Sequence, residues 1–123
     1  MRMMIDIAEN GDAGWVPIRD ISERQNISTK YMEHIVTSLT RAGLLRSGRG
    51  SGGGYMLTKA PDQYTAGEIL RTIEGKLAPV ACLVDDTNQC ERVTQCKTLD
   101  FWEGLHSVID DYVDSATLRD FMK

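Results

Sequence analysis

The chain has 123 residues, of which 41% are hydrophobic and 26% charged, and its formal net charge is −4. These proportions fit one compact globular domain with a single long additional element. No apolar run approaches the length of a membrane span and no signal-peptide pattern opens the chain, so we expect a cytoplasmic protein without a membrane partner. The charge is uneven: residues 1–59 carry eight Lys+Arg against six Asp+Glu, whereas residues 60–123 carry six against twelve.

The chain opens inside a predicted helix that no capping residue precedes, so we expect either that the natural chain begins upstream of Met1 or that the numbering starts at the first ordered residue. Four residues form the predicted apolar face of this helix: Met1, Met4, Ile5 and Ala8. A turn at residues 10–14 ends it. Pro17 then restricts Val16 to an extended conformation, which predicts a short extended segment before the next helix.

Two helices separated by a tight turn follow. The first is short, spans the region from Asp20 and buries Ile21, and Ser28 is placed to cap the second through its hydroxyl. The apolar face of the second helix is predicted at Tyr31, Ile35, Leu39 and Ala42. Its opposite face is polar and carries Lys30, Glu33, His34, Thr37 and Arg41. Gly43 suits the left-handed position that ends such a helix.

A glycine-rich hairpin comes next, with one strand starting at Leu45 and the other spanning residues 55–58. Four basic residues and no acidic one lie between Arg41 and Lys59. Phosphate binding requires such a local positive patch, whatever the total charge. A mostly α-helical fold with a small β-hairpin wing is therefore predicted: a winged helix-turn-helix that presents its second helix to the major groove of double-stranded DNA.

The same glycines spell Gly48-x-Gly50-x-x-Gly53, which matches a dinucleotide-binding fingerprint. That motif requires a helix immediately after it, so that the pyrophosphate sits on the helix N-terminus. Here a strand follows. Nucleotide binding is therefore disfavoured.

The C-terminal half adds two helices and a short terminal one. Thr65–Glu68 reads as a capping box that starts a helix ending at Gly75. A final helix runs from Leu99, and residues 115–121 form a short terminal helix. The apolar stripe of the helix from Leu99 is longer than a small winged domain needs. We therefore expect homodimerisation through Trp102, Leu105, Ile109, Tyr112 and Val113. The predicted units are the DNA-binding domain at 1–75, a sensor loop at 76–98, and the dimerisation helix and tail at 99–123.

The predicted sensor loop holds all three cysteines, Cys82, Cys90 and Cys96. An odd number argues against a disulfide framework, and the spacings fit neither structural zinc nor a thioredoxin site. Three thiolates converging from a loop suit an iron–sulfur cluster. A redox-responsive thiol, zinc and three unconnected thiols are the alternatives. Because ionised thiolates repel one another, we expect the loop to be mobile unless metal orders it.

Several segments together resemble the IscR/NsrR/CymR family (the Rrf-two family): 21–28, 31–33, 41–44, 49–55 and the three cysteines. Its members are bacterial, dimeric winged-helix transcription regulators, many with an iron–sulfur cluster. The resemblance implies that Lys30, Glu33 and His34 face base edges, that Arg49 enters the minor groove, and that the cysteines ligate a cluster. IscR-like members have a histidine ligand three residues after the last cysteine, where this chain has Leu99, so the fourth ligand stays open.

The predicted DNA contacts combine base-reading and phosphate-binding side chains. Lys30 suits guanine or phosphate, Glu33 can accept from cytosine N4, and Thr37 or Ser28 can hold phosphates. The full set is Ser28, Thr29, Lys30, Glu33, His34, Thr37, Arg49, Gly50 and Ser51. No catalytic constellation occurs, so we do not expect an enzyme. Two alternatives stay open: a CymR-like regulator controlled by a protein or metabolite partner without a cluster, and a winged domain that binds protein.

Overall fold

The computed structural model describes residues 1–48, 53–85 and 87–122, with the side chain of Ala13 left aside. Five helices and one hairpin follow in order: α1 (Arg2–Asn10), α2 (Ile18–Gln25), α3 (Thr29–Arg41), β1 (Leu45–Gly48), β2 (Gly54–Leu57), α4 (Ala66–Glu74) and α5 (Leu99–Ser115). Short 3-10 turns lie at Gly11–Ala13, Pro61–Gln63, Ala81–Leu83 and Leu118–Phe121. This arrangement confirms the predicted fold class. None of the described helices combines the length and apolarity needed to cross a bilayer.

The helix-turn-helix consists of α2 and α3. Pro17 is extended and directly precedes α2, which begins at Ile18, two residues before the predicted Asp20. Asn26 ends α2 in the left-handed conformation, with φ 54°. The Ser28 hydroxyl accepts a hydrogen bond from the Tyr31 backbone N–H at 3.2 Å, which confirms the predicted cap of α3.

The apolar face of α3 is rotated from the predicted one, and two of its residues were assigned wrongly. Tyr31 is 61% exposed and Ala42 is also exposed. The buried residues are instead Met32, Val36 and Leu39. The sequence of α3 offers two alternative apolar stripes at helical spacing, one with Tyr31 and one with Met32, and both include Leu39. Packing against α2, α4 and β1 selects the one that contains Met32.

The face predicted for α1 was also partly wrong. Met3, Met4 and Ile7 are its buried hydrophobic residues, whereas Met1, Ile5 and Ala8 pack at the edge of the core. Asp6 is buried between them and accepts hydrogen bonds from Arg24 and Gln25. The Arg24 Nη2 to Asp6 Oδ1 distance is 2.7 Å, and the Gln25 Nε2 to Asp6 Oδ2 distance is 2.9 Å. These partners satisfy the buried carboxylate and join α1 to α2.

The hairpin is antiparallel, in a register that pairs Leu45 with Leu57 and Gly48 with Gly54. Val16 adds a bridge to its outer edge, since its N–H and carbonyl each form a 2.9 Å hydrogen bond with Tyr55. The tip of the hairpin, residues 49–52, lies outside the described residues.

Buried Tyr64 joins the base of this hairpin to the end of α3. Its hydroxyl donates to the Leu44 carbonyl at 2.8 Å and accepts from the Thr58 backbone N–H at 2.8 Å. Hydrogen-bonded and fully enclosed, it fixes the hairpin relative to the helix-turn-helix.

Half of the predicted capping box on α4 is present. The Thr65 hydroxyl accepts from the Glu68 backbone N–H at 3.0 Å, and the helix ends before Gly75 as predicted. The Glu68 carboxylate does not complete the box; both of its oxygens lie 3.0 Å from Lys59 Nζ. A cation on a neighbouring loop therefore takes the place of the backbone donor.

The chain ends with α5 and a turn that returns to the core. α5 begins at Leu99 as predicted, and no residue of it is buried. The final segment pairs Thr117 with Thr65 in a β-bridge and buries Leu118. Its last turn, Leu118–Phe121, is a 3-10 helix with a capping box formed by Thr117 and Asp120.

Candidate nucleic-acid interface and cysteine segment

The polar face of α3 is open to solvent along its length. Its exposed residues are Lys30, Glu33, His34, Thr37 and Arg41. Among the described residues, neither Lys30 nor Glu33 takes part in a salt bridge. The face therefore presents charged groups whose hydrogen-bonding capacity is available to a partner.

Two predicted phosphate-binding hydroxyls already make internal hydrogen bonds. Thr37 Oγ1 donates to the Glu33 carbonyl at 2.7 Å, so only its lone pairs face outward. Ser28 Oγ accepts from Tyr31 but keeps its own proton for donation. Ser28 therefore suits a phosphate oxygen better than Thr37 does. Thr29 is exposed beside it, in the first turn of α3.

Tyr31 is a surface residue that the sequence pattern misassigned. Its side chain is 61% exposed in the first turn of α3, next to exposed Lys30. A tyrosine there offers an aromatic ring and a hydroxyl donor to a ligand. The competing Met32–Val36–Leu39 stripe was the signal that could have identified it.

A groove joins α3 to the hairpin. Its volume is about 330 Å³, and its lining residues are Val36, Thr37, Thr40, Arg41, Ser47 and Tyr55. Thr37 and Arg41 of the polar face thus share a continuous surface with β1. Arg49, Gly50 and Ser51 follow β1 at the hairpin tip, and their predicted DNA contacts lie outside the described residues.

An aromatic residue that the sequence analysis did not assign to the interface lies against β1 of the hairpin. Trp15 is 38% exposed, and Arg46 Cζ lies 6.0 Å from the centroid of its ring. A Cβ on Gly48 would come within 2.7 Å of Trp15 Cδ2. The indole therefore lies directly against β1, in a space that only glycine leaves open.

Two of the three cysteines share a pocket. Cys90 and Cys96 line a cavity of about 400 Å³ together with Arg92 and Lys97, whereas Cys82 lies in the 3-10 turn Ala81–Leu83. All three are free thiols. Within the described ranges, no three His, Cys, Asp or Glu side chains lie close enough together to hold a metal ion.

Cys96 is the most exposed of the three thiols. It is exposed, and its Sγ lies 3.5 Å from Thr98 Oγ1. That hydrogen bond, helped by nearby backbone N–H groups and Arg92, lowers the pKa of the Cys96 thiol from its ordinary value. The thiolate is the form that binds metals and reacts with oxidants.

The joint between α4 and α5 is an ion-pair cluster. Arg71 donates from Nη1 to Asp114 Oδ1 at 2.7 Å and from Nη2 to Asp110 Oδ1 at 2.8 Å. The guanidinium holds the pKa of Asp114 below its ordinary value. His106 Nε2 lies 3.3 Å from Asp110 Oδ2. A cavity beside this cluster is also lined by Leu83, so the cysteine segment abuts the α4–α5 joint.

The predicted dimerisation residues divide between two faces of α5. Trp102, Leu105, Ile109 and Val113 are half-buried, whereas Tyr112 is 74% exposed. Phe101 and Val108, which the sequence analysis did not select, are each 64% exposed. Phe101, Leu105, Val108 and Tyr112 recur at spacings of three and four and are called the α5 stripe below.

Comparison with known proteins decides the family. A family model described as Rrf2, iron-dependent transcriptional regulator, matches residues 1–123. The chain belongs to the Rrf2 (Rrf-two) family. It is 36% identical over 119 residues to the transcriptional regulator IscR of Aliivibrio salmonicida, covering 97% of this chain and 70% of that protein.

Solved structures agree with this membership of the Rrf2 family. CymR, the global cysteine regulator of B. subtilis, superposes with a TM-score of 0.77 at 33% identity, over 97% of this chain and 86% of that one. IscR of T. potens superposes with a TM-score of 0.75 at 34% identity, over 97% and 77%. The predicted family is thereby confirmed. Rrf2 proteins are transcriptional regulators, and the expectation that this chain is not an enzyme is confirmed with it.

Proposed function

We propose that this Rrf2 protein is a cytoplasmic transcription regulator that binds a specific sequence of double-stranded DNA as a homodimer. The observation that carries the proposal is the solvent-exposed polar face of α3, continuous with β1 through a shared groove. Helix-turn-helix proteins place such a face in the major groove and let the wing contact the flanking duplex.

Lys30, Glu33 and His34 are the proposed base-reading residues. Lys30 donates to guanine acceptors and Glu33 accepts from cytosine N4, so the pair favours a C·G-containing step. Tyr31 adds an exposed hydroxyl and ring in the same turn. Ser28 and Thr29, at the start of α3, suit phosphate, and Arg49, Gly50 and Ser51 extend the contact from the hairpin tip.

Binding to DNA is tested with a duplex selected by the 123-residue chain from a random-sequence pool. Lys30→Ala should weaken binding about ten-fold, since one base contact contributes about 1–3 kcal/mol of discrimination. Arg119→Ala is the matched control, because it removes one exposed positive charge outside α3 and the hairpin. Failure to select any duplex, or equal effects of the two variants, would overturn the proposal.

The α5 stripe is the proposed dimer contact. Phe101, Val108 and Tyr112 present large apolar surfaces to solvent on one face of a 17-residue helix. Contiguous exposed patches of this kind mark interaction sites. A two-fold pair would set two α3 helices on half-sites about one duplex turn apart.

An iron–sulfur cluster held by Cys82, Cys90 and Cys96 is the proposed sensor. The chemistry of the donor set fits such a group: all three thiols are free, two of them line one pocket, and the pKa of the Cys96 thiol is lowered. Once bound, the cluster supplies redox and ligand-exchange chemistry that thiols alone lack. To bind the same cluster, Cys82 must approach the other two cysteines. Its segment lies beside Arg71 and Asp110, so this movement would alter the contacts of the α4–α5 joint.

Control by a protein or metabolite partner without a cluster is the second candidate. Cys82 does not line the pocket that Cys90 and Cys96 share, which favours this candidate, as does the structural likeness to the cysteine regulator CymR. The absorbance spectrum, iron content and sulfide content of anaerobically purified protein separate the candidates. Cys96→Ala should remove the iron and the visible absorbance, whereas Thr94→Ala, an exposed neighbour in the same segment, should keep both. A colourless, iron-free wild-type protein would favour the partner-controlled regulator.

A further inference from the structure

We propose that Trp15 and Arg46 form a second phosphate-binding site beside β1 of the wing, in which Trp15 is a positioning residue for Arg46. This inference rests on the proposed binding of DNA. The proposed site supplies a further contact with DNA, besides those of the polar face of α3 and the hairpin tip. Trp15 and Arg46 both belong to the described residues, and the proposed site requires no residue of the hairpin tip.

The backbone of Trp15 is fixed to the hairpin. Val16, its neighbour, forms two 2.9 Å hydrogen bonds with Tyr55 of β2. The Val16 carbonyl also lies so close to Gly54 that a Cβ there would meet it at 2.4 Å. Trp15 is therefore held beside the two strands through the backbone of Val16.

The ring of Trp15 covers one face of β1. Arg46 and Gly48 are two residues apart, so both point to the same side of the strand. Gly48 leaves the space in which the indole lies, and Arg46 Cζ is 6.0 Å from the centroid of the ring. A guanidinium at that distance from a tryptophan is held by cation–π attraction.

The charge of Arg46 remains available to a ligand. Its side chain is exposed, and no described acidic residue forms a salt bridge with it. A tryptophan ring restricts the guanidinium without neutralising it, which lowers the entropy lost when an anion binds. Arg19 lines a cavity of about 380 Å³ between α2 and the hairpin, to which Gly48 of β1 also belongs.

Salt dependence separates this role from simple packing. If Arg46 binds one phosphate per subunit, Arg46→Ala should reduce the slope of log affinity against log salt by about 0.9 per subunit. Trp15→Leu removes no charge, yet it should reduce the same slope, because the unrestrained guanidinium loses its contact. Each variant should weaken binding of the selected duplex about five-fold.

A double-mutant cycle completes the test. Trp15→Leu combined with Arg46→Ala should bind about as well as either single variant, whereas Trp15→Leu combined with Lys30→Ala should multiply the two losses. Trp15→Phe keeps a ring and should retain most of the Arg46 contribution. Multiplying losses for Trp15 and Arg46, or an unchanged salt slope in Trp15→Leu, would overturn the inference. A chain that selects no duplex would instead refute the proposed function.

Discussion

The winged region and the α5 region differ in where they place apolar side chains. In the described part of the chain, every buried hydrophobic residue except Leu118 lies between Met3 and Ile69. The 17 residues of α5 contribute none, and they leave Phe101, Val108 and Tyr112 largely exposed. Hydrophobic burial is the main favourable contribution to folding. The winged region thus buries its hydrophobic side chains within the subunit, whereas α5 has exposed apolar surface that a second subunit can cover.

The two regions also differ in their polar contacts. In the winged region, two buried polar groups are held by several partners: Asp6 binds Arg24 and Gln25, and Tyr64 binds Leu44 and Thr58. Thr40 Oγ1 is buried there without a hydrogen-bond partner among the residues that the structure describes. At the α4–α5 joint the ion pairs of Arg71 are partly open to solvent. Exposed pairs contribute little to stability and are readily rearranged. The ion pairs at the α4–α5 joint are therefore easier to rearrange than the buried hydrogen bonds of the winged region.

The sharpest separation of the two regions is in core stability. Leu39→Ala should lower the free energy of unfolding by about 2–5 kcal/mol, because Leu39 is 1% exposed in the winged core. Leu83→Ala deletes the same atoms from the half-buried cysteine segment and should cost less than about 1 kcal/mol. Urea denaturation at one protein concentration measures both. Equal losses would show that the cysteine segment is as well packed as the winged core.

Self-association gives the next largest effect. Val108→Asp places a charge in the α5 stripe and should weaken dimerisation about 100-fold, or about 2.8 kcal/mol, because the carboxylate would be desolvated. Ser107→Asp introduces the same charge outside the stripe and should leave the dimer intact. Sedimentation equilibrium distinguishes the two variants. Unchanged association of Val108→Asp would remove the α5 stripe from the dimer contact.

Tyr64→Phe tests how the wing is held to the helix-turn-helix. Loss of the hydroxyl leaves the Leu44 carbonyl and the Thr58 N–H without their partner, at a cost of about 1–2 kcal/mol. Hydrogen exchange should accelerate at Thr58, while the α5 amides should not change. Tyr112→Phe, which removes an exposed hydroxyl from α5, is the control. Uniform acceleration along the chain would contradict a local role.

The smallest effect is expected at the α4–α5 joint and depends on pH. Because Arg71 lowers the pKa of Asp114 below 3.8, Asp114 stabilises the fold above that value and loses its contribution as the pH falls through the lowered pKa. Asp114→Asn should slightly lower the thermal midpoint near neutral pH, and the difference should disappear in acid. Asp111→Asn is the control on the same helix. A difference independent of pH would point to a steric cause.

Local signals in the sequence were sufficient for much of the fold. Pro17, Ser28, Gly43 and Gly75 mark helix boundaries through their backbone geometry or hydroxyl groups, and these effects act within a few residues. The glycine-rich hairpin and the start of α5 at Leu99 were predicted in the same way. The polar face of α3 was predicted from the spacing of its charged and polar residues alone, because solvent-exposed side chains do not depend on contacts with distant segments.

Only the tertiary structure decided which of two overlapping apolar stripes is buried. Tyr31 and Met32 are adjacent in sequence, and neighbouring elements determine which of them enters the core. The same holds for the Glu68 carboxylate, which binds Lys59 from another segment. The contact of Trp15 with Gly48 joins residues 33 positions apart and leaves no periodic signal. Sequence periodicity reports an element's own geometry, whereas the partner that covers each face is fixed only when distant segments pack together.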